Sequence, residues 1–269
     1  MKRFFPYLAV ALFCCALASC VSKEAPTISG EPTGISLDVL AGISALGFST
    51  ENIRAEDGGY IVENDIFLTQ HDLQDAVVRK YFIVGNSEQY RTNYTVTGLP
   101  RIITVSIDSR LPAIYGNALD EAITRYNNEN LQLEFLKVAS GADIAIVRGN
   151  GSYLASAGFP TSTGNPHNQI RINSNAIGTG SGTTFINYVA TILAHEMGHC
   201  IGFRHTDYMN RAYSCGGAAT NEGASTVGAV HIPGTPTTPD AGSWMLACIG
   251  ANQNRPFNAN DITALNFLY

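Results

Sequence analysis

The sequence predicts an α+β fold on three observations: a strand and helix alternation that begins near Arg101, one long apolar helix over 183–201, and an amphipathic helix at the end. Ile102 to Ile107 alternates as a strand should. Tyr115, Leu119, Ala122, Ile123 and Tyr126 recur at helical spacing and share one face. Leu131 to Val138 and Asp143 to Val147 read as further strands, and Gln169 to Asn173 as a short polar edge strand. The long helix opens at Thr183 or Thr184, either of which can cap it, and turns Ile186, Val189, Leu193, Met197 and Ile201 to the core. Tyr188, Ile192, His195 and His199 fall on its other face. Asn258 or Asn260 opens the last helix, with Ile262, Leu265 and Leu268 inward. Upstream, the pattern predicts a helix around Leu37 to Leu46, strands near Gly59 to Thr69, and a joint at Gly98-Leu99-Pro100.

The chemistry is concentrated in residues 195 to 205, His-Glu-Met-Gly-His-Cys-Ile-Gly-Phe-Arg-His. Four residues apart on a helix, His195 and His199 leave the same face one turn apart and can share a metal. Glu196 is placed to reach a metal-bound water as general base. Gly202 allows a positive φ that ends the helix and returns His205 as a third ligand. Three protein ligands leave a fourth position for water, which marks catalytic rather than structural Zn²⁺. With this chain's residue usage, the five fixed residues coincide by chance in about 1 chain in 100,000.

These residues match every fixed position of H-E-x-x-H-x-x-G-x-x-H, and the chain resembles the metzincin metallopeptidases. His-Glu-Met-Gly-His, the following His-Thr-Asp and Ile232-Pro-Gly-Thr-Pro are most similar to the bacterial dual-action HEIGH metallo-peptidases. The resemblance implies a metzincin-like catalytic domain: a twisted, mostly parallel sheet with a polar edge strand, the zinc helix, and an irregular C-terminal subdomain with a Met-turn and a final helix. It implies that Met245 is the turn methionine and that Ile170, Arg171 and Ile172 form the edge strand that pairs with an extended peptide substrate. Some metzincins carry a tyrosine two residues after that methionine, where this chain has Ala247. Tyr60-Ile-Val-Glu-Asn-Asp-Ile66 is similar to an astacin prosegment motif, which would make Asp65 a latency ligand displacing the water; Asn64 stands where the motif has glycine. Asp207 can orient a zinc histidine or fix the turn.

Lys2 and Arg3 precede an apolar run, Phe4 to Ser19, too short to span a bilayer and laid out as an export signal. It ends in Leu17-Ala18-Ser19-Cys20, which resembles a bacterial lipobox and implies cleavage before Cys20 and lipid attachment to it. The expected organisation is a lipoprotein signal peptide (1–19), a flexible tether (20–34), a prosegment-like or accessory region (35–98) and a zinc metallopeptidase domain (99–269), anchored on the periplasmic or outer side of a bacterial membrane. Cys200, Cys215 and Cys248 then remain, of which two can pair in an oxidising compartment. Cys215 with Cys248 would brace the loop carrying Met245; Cys200 with Cys215 is the alternative.

Losing residues 1–19 removes two positive charges and no negative ones, taking the net charge from −6 to about −8. With no Lys/Arg cluster, zinc-finger spacing or P-loop, a nucleic-acid partner is not expected. His71, His167 and His231 lie outside the motif and read as surface residues. The expected activity is zinc-dependent endopeptidase action on proteins or peptides. The alternatives are a lipid-anchored binding or adhesion protein with a structural zinc, and a zinc hydrolase of non-peptide amides.

Overall fold

In the computed structural model, which describes residues 34–75, 89–219, 221–222 and 228–269, an eight-stranded mixed sheet carries the chain. The elements are α1 (Leu37–Ala45), β1 (Arg54–Glu56), β2 (Gly59–Val62), β3 (Ile66–Thr69), α2 (Gln70–Asp75), β4 (Tyr90–Arg91), β5 (Arg101–Ile107), α3 (Ala113–Asn127), β6 (Leu133–Lys137), β7 (Ile144–Arg148), β8 (Ala155–Ala157), β9 (Gln169–Ile172), α4 (Ser174–Ile177), α5 (Gly182–Ile201), α6 (Ala212–Cys215), β10 (Val230–His231) and α7 (Ala259–Leu268). The sheet runs β1-β2-β3-β8-β9-β7-β5-β6, and β10 pairs with β4 in a separate ribbon. The pairs β3/β8, β9/β7, β7/β5 and β5/β6 are parallel, whereas β1/β2, β2/β3 and β8/β9 are antiparallel.

The alternation expected for β5 is realised: Ile103 and Val105 are buried and Ile102 is exposed. The same holds across the register on β6, where Leu133 and Phe135 point in and Leu136 out. The buried face packs on α3 and α5 through Tyr115, Leu119, Ala122 and Tyr126 from one helix and Val189, Leu193, Met197 and Ile201 from the other. Each fully buried aliphatic side chain there contributes on the order of 2 kcal/mol. A smaller core, Ile43, Leu46, Phe48, Val62, Ile66 and Leu68, ties α1 to the β2–β3 hairpin, with Phe159 of the main unit packed against it. The last helix has its cap at Asn258, whose side chain accepts from the Asp261 backbone while Asp261 accepts from Asn258 in return.

Three expectations need correction. The strand holding Ile170, Arg171 and Ile172 is not an edge, because β7 pairs with one side of it and β8 with the other. Arg171 is also occupied, its guanidinium stacking 4.2 Å from the Phe67 ring centre and donating to the Asp57 carbonyl. Helix α5 begins at Gly182 behind Ser181, so neither Thr183 nor Thr184 caps it. His167 is half-buried rather than on the surface: it packs against Phe67, and burial lowers its imidazole pKa to about 4. The signal, the tether up to residue 33 and Cys20 lie outside the described residues. No helix among the described residues is long and apolar enough to cross a membrane.

Candidate metal centre

Helix α5 projects His195 and His199 from one face, and it stops where Gly202 adopts φ 112°. That left-handed residue donates its N–H back to the Gly198 and His199 carbonyls, and the chain reverses. A side chain there would also meet the Tyr94 carbonyl, since a Cβ would lie 2.9 Å from it. The reversal returns His205 so that its Nε2 lies 3.2 Å from that of His199.

The hydrogen bonds behind the rings determine what this convergence is. His195 Nδ1 lies 2.9 Å from the Trp244 carbonyl, His199 Nδ1 lies 2.8 Å from the Phe203 carbonyl, and His205 Nδ1 is 3.0 Å from both oxygens of Glu222. Carbonyls and carboxylates accept only, so each Nδ1 carries the proton and donates it. Each Nε2 therefore faces inward, and His195 and His199, whose pKa values are lowered, present it as a lone pair. Buried His195 Nε2 has no hydrogen-bond partner, and His205 Nε2 lies 3.2 Å from that of His199 and 3.3 Å from Asp65. Three converging Nε2 atoms form a cation site once His205 gives up its proton, and the oxygen of Asp65 joins them: the four ligand atoms lie within 4.8 Å of each other. Imidazole nitrogens with one carboxylate are a donor set that suits zinc.

Burial, with the neighbouring His205, lowers the His195 pKa to about 4 and moves His199 well below the ordinary value. His205 goes the other way: burial opposes its charge, but Glu222 and Asp65 raise it well above normal. Burial also works against ionised Asp65, yet His205 at 3.3 Å holds that carboxyl well below the usual range. Glu196 is buried beside the cluster with Oε2 unpaired, and burial together with Asp65 pushes its pKa well up.

Asp65 reaches the histidines from the N-terminal region. The β2–β3 hairpin turns through Glu63 (φ 54°) and Asn64 (φ 76°), two consecutive left-handed residues, so the turn tolerates asparagine where the resemblance expects glycine. Arg211 donates to the Glu63 carbonyl, Ala157 donates to the Asp65 carbonyl at 2.9 Å, and Arg54 reaches Asn64 Oδ1. The Glu63 side chain enters a buried pocket, accepting from the Ser49 backbone with Arg204 3.6 Å away.

Met245 lies beneath the helix, fully buried, with Sδ so close to Gly198 that a Cβ there would come within 2.6 Å. The residue before it holds His195 through its carbonyl. Its own carbonyl accepts from Thr206, next to His205. Asp207 fixes this turn rather than a histidine, accepting from the Ala247 backbone and from Ser214. Cys215 and Cys248 form a disulfide and Cys200 is free and buried. The structure thus brings together His195, Glu196, His199, His205, Asp65 and Met245, and leaves Ile170, Arg171 and Ile172 inside the sheet. Two partners escape a reading by motif. Arg204 lies inside the motif yet is fully buried under the Phe48 ring, and Glu222 lies 17 residues past His205. The available signal for Glu222 is that it is the one charged residue in a small, polar run from Cys215 to Val230.

No curated protein matches the sequence. The chain is similar to two solved structures of myroilysin. One has 15% identity and a TM-score of 0.42, covering 65% of this chain and 82% of that one; the other has 16% and 0.40, covering 63% and 83%. A family model described as dual-action HEIGH metallo-peptidase matches residues 60–269, from the hairpin that delivers Asp65 through the histidine helix to the last residue, and the chain belongs to that family of zinc metallopeptidases.

Proposed function

We propose that this zinc endopeptidase holds its metal with His195, His199 and His205, uses Glu196 as general base, and is kept latent in the full-length chain by Asp65. The observation that carries the reading is the convergence of three inward-facing Nε2 atoms beside an unpaired, buried carboxyl oxygen of Glu196. Bound there, zinc supplies Lewis acidity toward a water and the scissile carbonyl. Glu196 takes the proton from the attacking water and returns it to the leaving amine. Trp244, Phe203 and Glu222 hold the imidazoles in the tautomer this requires.

The peptide-binding strand in this proposal is β8, not β9. One side of β8 is taken by β9 and the other by β3, so an extended substrate adding to the sheet would occupy the place of β3. Digestion of a mixed peptide library, with and without chelator and with zinc restored, tests the activity. Chelator-insensitive cleavage, or none even by the Asp65→Ala chain, contradicts the proposal.

Glu222 is the anionic partner behind the His205 imidazole. Glu222→Gln is expected to weaken zinc binding by about 10- to 100-fold, read by competition with a chelating dye. Unchanged affinity would mean that this carboxylate does not tune His205. The Leu-Ala-Ser-Cys20 ending of the export signal further supports a lipid anchor that keeps the enzyme on the outer side of a bacterial membrane. Labelled fatty acid should enter the wild type and not Cys20→Ser, and equal labelling of both would exclude Cys20.

A further inference from the structure

A cavity of about 280 Å³ opens beside His195 and Glu196. Ile192, Trp244, Leu246 and Ile249 give it apolar walls, and two guanidinium groups, Arg211 and Arg255, reach its lining. They are not equivalent. Arg211 donates to the Glu63 carbonyl and lies 3.8 Å from Glu222, so its charge is already engaged. Arg255 donates to the neutral Cys248 carbonyl at 2.8 Å and makes a long, 3.5 Å contact to the Gln253 amide oxygen. Among the described residues no carboxylate lies within ion-pairing distance of it.

The two acids on the lining, Asp65 and Glu196, belong to the metal centre, and Asp65 lies 3.3 Å from His205. Asp207 bears on Arg255 electrostatically without an ion pair, its carboxylate being taken by the Ala247 backbone and Ser214. A partly buried guanidinium whose own hydrogen bonds go to neutral acceptors, in an apolar cavity, has room for a directly bound carboxylate. Its place is also fixed. The Arg255 backbone N–H donates to Thr191 Oγ1 at 3.0 Å, one turn before His195 on α5, and the carbonyl it grips belongs to the disulfide-bonded Cys248. The fork is thereby held in register with the reacting centre. We infer that Arg255 makes this cavity a substrate subsite for an acidic side chain, aspartate or glutamate, adjacent to the bond that is cleaved.

The inference rests on the peptidase reading above and adds a specificity to it. An Arg–carboxylate contact in a sheltered site discriminates by fork geometry as well as charge, so the isosteric amide is the critical comparison. The test uses the zinc-loaded full-length chain on a mixed peptide library with the new ends sequenced, followed by kcat/KM on a peptide pair differing only by Asp or Asn at the mapped position. The wild type is expected to enrich Asp and Glu at one fixed position beside the scissile bond. The Asp:Asn ratio should fall by about 10- to 100-fold in Arg255→Gln, the worth of a charge-assisted hydrogen bond. It should survive in part in Arg255→Lys and turn toward basic side chains in Arg255→Glu.

Wild-type cleavage without acidic enrichment at any position would overturn the inference and leave the peptidase reading standing. A parallel fall on both peptides in Arg255→Gln would also overturn it, since a guanidinium that only braces the Cys248 loop predicts that result. If neither the wild type nor Asp65→Ala cleaves any library peptide, the peptidase reading fails and this inference with it.

Discussion

Replacing Glu196 with glutamine is expected to leave the zinc content unchanged and to lower peptide turnover by about 10²- to 10⁴-fold. The two halves of that result have separate causes. None of the hydrogen bonds that orient the three imidazoles involves Glu196: they go to Trp244, Phe203 and Glu222. Glutamine keeps the shape of the buried side chain and cannot accept and return a proton. Metal analysis together with steady-state rates on one cleaved peptide checks both halves. Undiminished turnover would remove Glu196 from the mechanism, whereas lost zinc would show that it supports the site rather than the chemistry. Burial pushes the Glu196 carboxyl up, Asp65 adds to this and His205 opposes it.

How far the sequence predicts this arrangement depends on how local each determinant is. His195, Glu196, His199 and His205 are legible because helical periodicity and one left-handed glycine position them within eleven residues. The faces of α3 and α5 follow from spacing for the same reason, although Ile186 and Ile123 are only partly buried. The edge of the sheet is not legible in the same way because pairing is not local. Gln169 to Ile172 has the composition of an edge, but β8, Ala-Ser-Ala, covers it, and three small residues show almost no alternation to read. Glu222 follows from no periodicity at all, since only the fold brings it behind His205. Asp65 was legible through its resemblance to a prosegment motif, whereas the pocket that receives Glu63 required the Arg204 side chain to be seen inside the protein.

Asp65→Ala in the full-length protein should raise basal peptide hydrolysis by at least about tenfold, because a tethered ligand competes at an effective concentration in the millimolar range. The carboxylate lies 3.3 Å from His205 Nε2 and 3.9 Å from His195 Nε2, whereas Glu63 of the same hairpin groups with His205 and Glu222. Other fasteners remain in the variant: the Ala157 to Asp65 main-chain bond, the single β3/β8 pairing at Ile66 and Ala157, and Glu63 beside Arg204. Activation by the single substitution should therefore stay below that reached by Glu63→Ala with Asp65→Ala, since that pair also empties the buried pocket. A peptide that adds to β8 must displace β3, so an extended, uncleavable peptide should bind the double variant more tightly than the wild type. If Asp65→Ala leaves basal hydrolysis where it was while peptide affinity rises in the double variant, the hairpin blocks the substrate strand and the carboxylate is not the brake. If neither quantity moves, residues 59–69 are a permanent part of the sheet and the peptide binds elsewhere. A rise in both would assign inhibition to two linked contacts, one at the metal and one along the strand, which a single release of the hairpin removes together.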